Sequence, residues 1–230
     1  MTDRFSLDDK VVLITGSSQG IGFALAKGLA AAGAEIVVNG RDKSKLSAAA
    51  AELASAGATT HELAFDATDG DAFGVSVAIA GDSVVIGADG DDDGGSRSGS
   101  AYVFVRSGNI WTQQVKLTAN DASAGDKFGH SVAISGDSVV VGAHDKFISG
   151  SAYVFVRSGV VWARRGELGA SDAESGDRFG VSVAISGDTV IAGAWRSDSP
   201  EVNSGSAYIF VRNVTAWSQQ QKLTASDAAE

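Results

Sequence analysis

The pentapeptide Gly-Asp-x-Phe-Gly occurs three times, at 70–74, 125–129 and 176–180, and constrains the fold more than any other feature. A period of about 50 residues, filled with short apolar runs between turn signals, is that of a β-propeller blade rather than a helical solenoid. Each copy breaks into four strand candidates, which in the first are 76–80, 83–88, 100–106 and 111–117. Ala80-Gly81-Asp82, Ser135-Gly136-Asp137 and Ser186-Gly187-Asp188 supply tight turns between the first two, because Gly and Asp tolerate positive φ. Arg106-Ser107-Gly108 and Arg157-Ser158-Gly159 turn between the last two, and Arg212-Asn213-Val214 lacks that glycine. The pattern predicts an all-β partial propeller of three four-stranded blades, 70–124, 125–175 and 176–230, with Phe73, Tyr102, Phe104, Trp111 and their equivalents packed between blades.

Residues 1–69 follow a different grammar. Lys10 to Thr15 is a short apolar run suited to a strand buried on both faces. Gly16-Ser17-Ser18-Gln19-Gly20-Ile21-Gly22 follows at once. Ile21, Leu25, Leu29 and Ala32 then fall on one helical face ending near Gly33. Glu35 to Asn39 reads as a second buried strand. A second helix starts after Asp42, turns Leu46, Ala50 and Leu53 to one side and stops at Gly57; His61 to Phe65 is the third strand. The order β-α-β-α-β implies a parallel sheet, the first half of a doubly wound nucleotide-binding (half-Rossmann) unit. Glycines between strand and helix let the backbone approach a pyrophosphate, and the helix N-terminus offers free N–H groups to it.

The spacing Thr15-Gly16-x-x-x-Gly20-x-Gly22 resembles that of the short-chain dehydrogenase/reductase family, and Asn39-Gly40-Arg41 resembles its NADP-using members. That resemblance implies NADP as cofactor, with Gly16, Ser18, Gly20, Ile21 and Gly22 around the pyrophosphate, Arg41 toward a 2′-phosphate and Asp66 at the adenine. It covers about 69 residues, and the family's Asn-Ala-Gly and Tyr-x-x-x-Lys motifs have no match. Tyr102, Tyr153 and Tyr208 are each followed four residues later by Arg106, Arg157 and Arg212. These pairs lie in an alternating, strand-like stretch, where i and i+4 are separated by about 13 Å.

Phe-Gly…Val-Val-Ile-Gly-Ala…Gly-Ser-Ala-Tyr-Val-Phe resembles the FG-GAP repeats of integrin-α-like propellers. The resemblance implies a protein or carbohydrate ligand and a cell-surface or extracellular setting. Asp89-Gly-Asp91-Asp-Asp93-Gly94 has the alternating acid spacing of calcium loops and makes Asp89, Asp91 and Asp93 candidate calcium ligands. The other copies lack that spacing, and a solvated acidic turn is the alternative. His61, His130 and His144 show no ligand spacing and read as structural.

Composition narrows the function classes. There is no Cys, so disulfides and thiolate chemistry are excluded. A net charge of −10 without a basic stripe argues against nucleic acid. No apolar run reaches the length of a membrane helix, and the polar, acidic first ten residues are unlike a secretory signal, which points to the cytoplasm. Three readings follow: a binding module with a residual nucleotide site and no complete catalytic site, an NAD(P)-dependent oxidoreductase, or a chimera without evolved function. An open sheet edge and open blade faces further imply self-association.

Overall fold

The computed structural model describes residues 6–40, 42–64, 73–147, 149–198 and 204–226. The chain divides into two compact units, 1–69 with 81–83 and 104–112, and 70–80 with 84–103 and 113–230.

The first unit contains β1 (Val11–Ile14), α1 (Gly20–Ala31), β2 (Glu35–Gly40), α2 (Lys43–Ser55) and β3 (Thr60–Ala64). The strands form one parallel sheet in the order β1-β2-β3. Ile36, Val37 and Val38 are wholly buried in the middle strand, as an uninterrupted apolar run demands. Leu46, Ala50 and Leu53 of α2 close over the sheet, the face that their spacing predicts. Asp42 caps α2, accepting hydrogen bonds from the amides of Ser44 at 2.9 Å and Lys45 at 3.2 Å. The expected strand end at Phe65 lies outside the described residues.

Helix α1 turns a different face inward from the one its leucine spacing predicts. Ile21 is 91% exposed and Leu25 52% exposed, while Ala26 is buried, with Phe23, Leu29 and Ala30 packed beside it. Apolar residues run around most of this helix, so periodicity alone does not select the buried stripe. Close approach selects it. A Cβ on Gly22 would lie 2.7 Å from the Gly16 carbonyl oxygen, and only small side chains fit along that line.

The second grammar forms three four-stranded sheets in sequential order. They are β4 (Phe73–Ala80) to β7 (Ile110–Leu117), β8 (Phe128–Ser135) to β11 (Val161–Leu168), and β12 (Ser182–Ser186) to β15 (Ala216–Leu223). Within these, β5 spans Ser83–Ala88, β6 Ser100–Ser107, β9 Ser138–Ala143, β10 Ser151–Ser158, β13 Thr189–Ala194 and β14 Ser206–Asn213. Neighbours pair antiparallel in the second and third sheets, as the tight turns require. Gly81, Gly136 and Gly187 share φ near +54° at the first turn. At the last turn Gly108 and Gly159 have φ of +59° and +63°, and Val214 takes the same left-handed conformation at +58°. A β-branched side chain is strained there.

Successive repeats interlock through the Phe-Gly segment. The Phe128 amide donates to the Ser98 carbonyl at 2.9 Å, and the Ser76 hydroxyl donates to the Gly129 carbonyl at 2.7 Å. One repeat on, Phe179 N donates to Ser149 O at 2.8 Å and Ser131 Oγ to Gly180 O at 2.7 Å. The carbonyls of Gly129 and Gly180 sit where a Cβ on Gly87 or Gly142 would be, so those two positions exclude any side chain. Phe128 and Phe179, both buried, pack on Tyr153 and Tyr208 of their own repeats, with ring centroids 5.4 and 5.6 Å apart.

Candidate functional site

The glycine turn between β1 and α1 is held by a buried polar network. Ser17 is fully buried, and its hydroxyl donates to Ile14 O at 2.7 Å and accepts from Asn39 N at 2.9 Å. The Asn39 side chain accepts from Gly16 N at 3.0 Å and donates to Leu63 O at 2.9 Å, tying the turn to β2 and β3. Neither residue is among the expected ligands. A polar residue following directly on the buried apolar run Ile36–Val38 is the sequence signal for such a hub.

Around this network Gly16 and Gly20 adopt φ of +64° and +63°, and a Cβ at either would meet nothing within 4 Å. Gln19 caps α1 without a side-chain hydrogen bond, and no acidic residue lies in the first turn. The leading amides of α1 are therefore not taken up by a capping side chain, and the turn leaves room beside them. Ser18 is half-buried against Gly40, and Ile21 is exposed at the helix start. Arg41 and Asp66, the expected 2′-phosphate and adenine partners, lie outside the described residues.

The acidic loop after β5 has a cation of its own. Asp91 is buried and accepts from Ser100 Oγ and Tyr102 Oη, both at 3.0 Å. Lys116 Nζ lies 2.6 Å from Asp91 Oδ2 and also pairs with Asp93. Burial works against the Asp91 charge, but Lys116 and the hydrogen bonds from Asp93 N, Ser100 and Tyr102 outweigh it and hold the carboxyl below its usual range. Lys116 is raised in turn: burial opposes its charge, and the two carboxylates prevail. Asp89 is engaged elsewhere, 2.9 Å from His130 Nδ1. Among the described residues no group of three or more His, Asp or Glu is arranged to hold a metal ion.

His130 and His144 stack with ring centroids 4.1 Å apart. Asp145 lies 3.5 Å from His144 Nε2 and 2.9 Å from Lys127 Nζ, and it also pairs with Arg178. His144 is only 7% exposed, and its Nδ1 finds no hydrogen-bond partner among the described residues. Burial, reinforced by His130, Lys127 and Arg178 and opposed by Asp89, holds its pKa down to about 4. The unfolded chain therefore takes up a proton below about 6.5 that the folded chain refuses until about 4. Stability from this site is complete above that window and is lost as pH falls through it. We expect unfolding free energies from urea titrations to fall by about 1–2 kcal/mol more across this window for wild type than for His144→Gln, after allowance for solvent screening. Parallel curves for the two proteins would refute the assignment.

The Tyr-x-x-x-Arg pairs resolve into structural roles. Arg106, Arg157 and Arg212 each donate from Nε to the turn aspartate of their own repeat, Asp82, Asp137 and Asp188, at 2.8, 2.8 and 2.6 Å. Tyr153 and Tyr208 are wholly buried, and burial pushes the Tyr153 phenol far up.

Three interlocked β-repeats joined to an α/β unit with a glycine turn define the class: a β-repeat protein carrying a Rossmann-like segment. The FG-GAP repeat profile matches residues 61–104, 111–155 and 162–210, more than half of the chain, which therefore belongs to the FG-GAP repeat family. The short chain dehydrogenase profile matches residues 10–82. The chain is similar to gluconate 5-dehydrogenase of Gluconobacter oxydans, 47% identical over 70 residues, which cover 30% of this chain and 27% of that protein. It is also similar to 5-keto-D-gluconate 5-reductase of Escherichia coli K12, 62% identical over 39 residues, covering 17% and 15%. A solved structure, L-sorbose reductase from Gluconobacter frateurii complexed with NADPH and L-sorbose, matches at 39% identity over 30% of this chain and 26% of that one, with a TM-score of 0.28. The chain thus spans about a quarter or less of the length of these relatives. Among the described residues no helix is long and apolar enough to cross a membrane.

Proposed function

We propose that residues 1–69 are a truncated dinucleotide-binding unit that keeps the phosphate cradle for NADP, joined to three propeller blades, 70–124, 125–175 and 176–230, that act as a binding module for a protein or carbohydrate ligand. The buried Ser17–Asn39 network carries this reading, because it holds an otherwise unsupported glycine turn open at a helix N-terminus. The 47% identity to a dehydrogenase over 70 residues supports an inherited site. Gly16, Ser18, Gly20, Ile21 and Gly22 would surround the pyrophosphate, and Arg41 would select the 2′-phosphate. Bound NADP would supply hydride chemistry, but proton transfer would still need a donor from this chain. The three tyrosines with a cation four residues on are committed to strands and repeat packing, which favours binding over turnover.

The overlap of the two profiles over 61–82 supports a join at a stretch that satisfies both families. Asp66-Ala67-x-x-Gly70-Asp71-x-Phe73-Gly74 repeats as Asp121-Ala122-x-x-Gly125-Asp126-x-Phe128-Gly129, so Asp66 fits the repeat pattern as well as the dehydrogenase one. For the acidic loop, Lys116 between Asp91 and Asp93, with Asp89 turned to His130, supports an internal counter-ion rather than calcium.

Titrating the chain with NADPH and following cofactor fluorescence tests the cradle. Saturable binding is expected, weakened about tenfold or more in Arg41→Ala, a loss of at least about 1.4 kcal/mol, and weaker for NADH. No saturable binding by a folded chain would overturn the reading.

A further inference from the structure

We propose that the open flank of the third repeat is a docking site for a second copy of this chain, which inserts the Phe73–Gly74 backbone of its first repeat there, head to tail. This inference rests on reading the three repeats as successive blades.

The interlock seen twice inside the chain has a third acceptor position that no described residue fills. Ser76 and Ser131 donate to the carbonyls of Gly129 and Gly180, whereas the equivalent Ser182 hydroxyl is exposed and has no acceptor among the described residues. At Gly87 and Gly142 a Cβ would overlap the next repeat's glycine carbonyl. At Gly193 it would meet only Ser182 of its own strand pair. Gly99 and Gly150 lie against the carbonyls of Phe128 and Phe179, but the nearest atom to a Cβ on Gly205 is Trp195 O at 3.3 Å. Beside it the Ser206 hydroxyl is buried without a partner among the described residues, whereas Ser100 and Ser151 bond to Asp91 and Glu167. The third repeat therefore retains the small residues and hydroxyl donor of an acceptor face, with no described residue seated on them.

The inserting element is preformed in the first repeat of the same chain. Gly74 has φ of +94°, matching Gly129 at +92° and Gly180 at +82°. Phe73 packs on Tyr102 at 4.9 Å, as Phe128 and Phe179 pack on their own tyrosines, and those contacts persist in the internal interlocks. Docking thus needs the Gly74 carbonyl at Ser182 and no rearrangement of the Phe73 ring. Acceptor and donor lie on different repeats of one chain, so the contact is heterologous and extends from copy to copy.

Sedimentation of the full chain over a concentration series tests this. Wild type is expected to associate reversibly, and Gly193→Ala to weaken association about tenfold or more with an unchanged melting temperature. Ser182→Ala, which cannot disturb the backbone, should weaken it by a smaller factor and decides the matter if Gly193→Ala fails to fold. A monomer at all concentrations, or association indifferent to both variants, would overturn docking. Gly142→Ala separates the two levels: if it leaves monomer stability intact, the successive-blade reading itself fails; if it destabilises while Gly193→Ala changes nothing, only the docking fails.

Discussion

Lys146→Met is expected to lower the unfolding free energy by about 3–5 kcal/mol, read as a drop in urea midpoint without a change in slope. Lys146 is 0% exposed, and its ammonium donates to Asp121 O at 2.5 Å and Asp126 Oδ2 at 3.1 Å, with Asp121 Oδ2 at 3.3 Å. Methionine fills the stem's volume but leaves the buried Asp126 carboxylate without its cation. That carboxylate also accepts from Ser123 N at 2.8 Å, so it cannot simply turn to solvent without opening the loop. Stranding one member of a buried pair is far more damaging than removing both. Asp126→Asn in the same background should therefore recover a measurable part of the loss. A deficit below about 1 kcal/mol for Lys146→Met would show that the carboxylate escapes to water.

Gly142→Ala is expected to destabilise the chain by about 3 kcal/mol, at the upper end of overpacking effects, because the new methyl group meets backbone on the far side. The obstacle is the Gly180 carbonyl, already engaged by Ser131, so relief requires the two repeats to separate. Gly193→Ala makes the same change in the same strand position of the next repeat. There the only obstacle is the Ser182 hydroxyl, which can rotate away, so thermal unfolding should separate the two variants clearly. Equal effects would mean that the strand itself, rather than the neighbouring repeat, demands glycine.

Local elements were largely legible from residue types. The turns at Gly81, Gly136 and Gly187, the Asp42 cap and the apolar run of β2 each depend on conformational freedom or burial that a few adjacent residues express. The helix α1 face was not legible, since apolar residues surround the helix and close approach at Gly22 selects the stripe. Val214 was visible as a missing glycine, but its left-handed backbone appears only once the hairpin closes around it.

The candidate site divides in the same way. Gly16, Gly20 and Gly22 declare a turn by their spacing, and the acidic run declares an excess of carboxylates. Neither discloses Asn39 beneath the turn or Lys116 between the carboxylates, which are 23 and 25 residues distant from Gly16 and Asp91. By itself the sequence determined two grammars, three repeats and the positions of their strands, because periodicity and turn chemistry act over a few residues. The tertiary structure alone decided which charges meet and which glycines face a carbonyl. Those outcomes depend on separate strands converging at hydrogen-bond distance, and sequence spacing does not encode that distance.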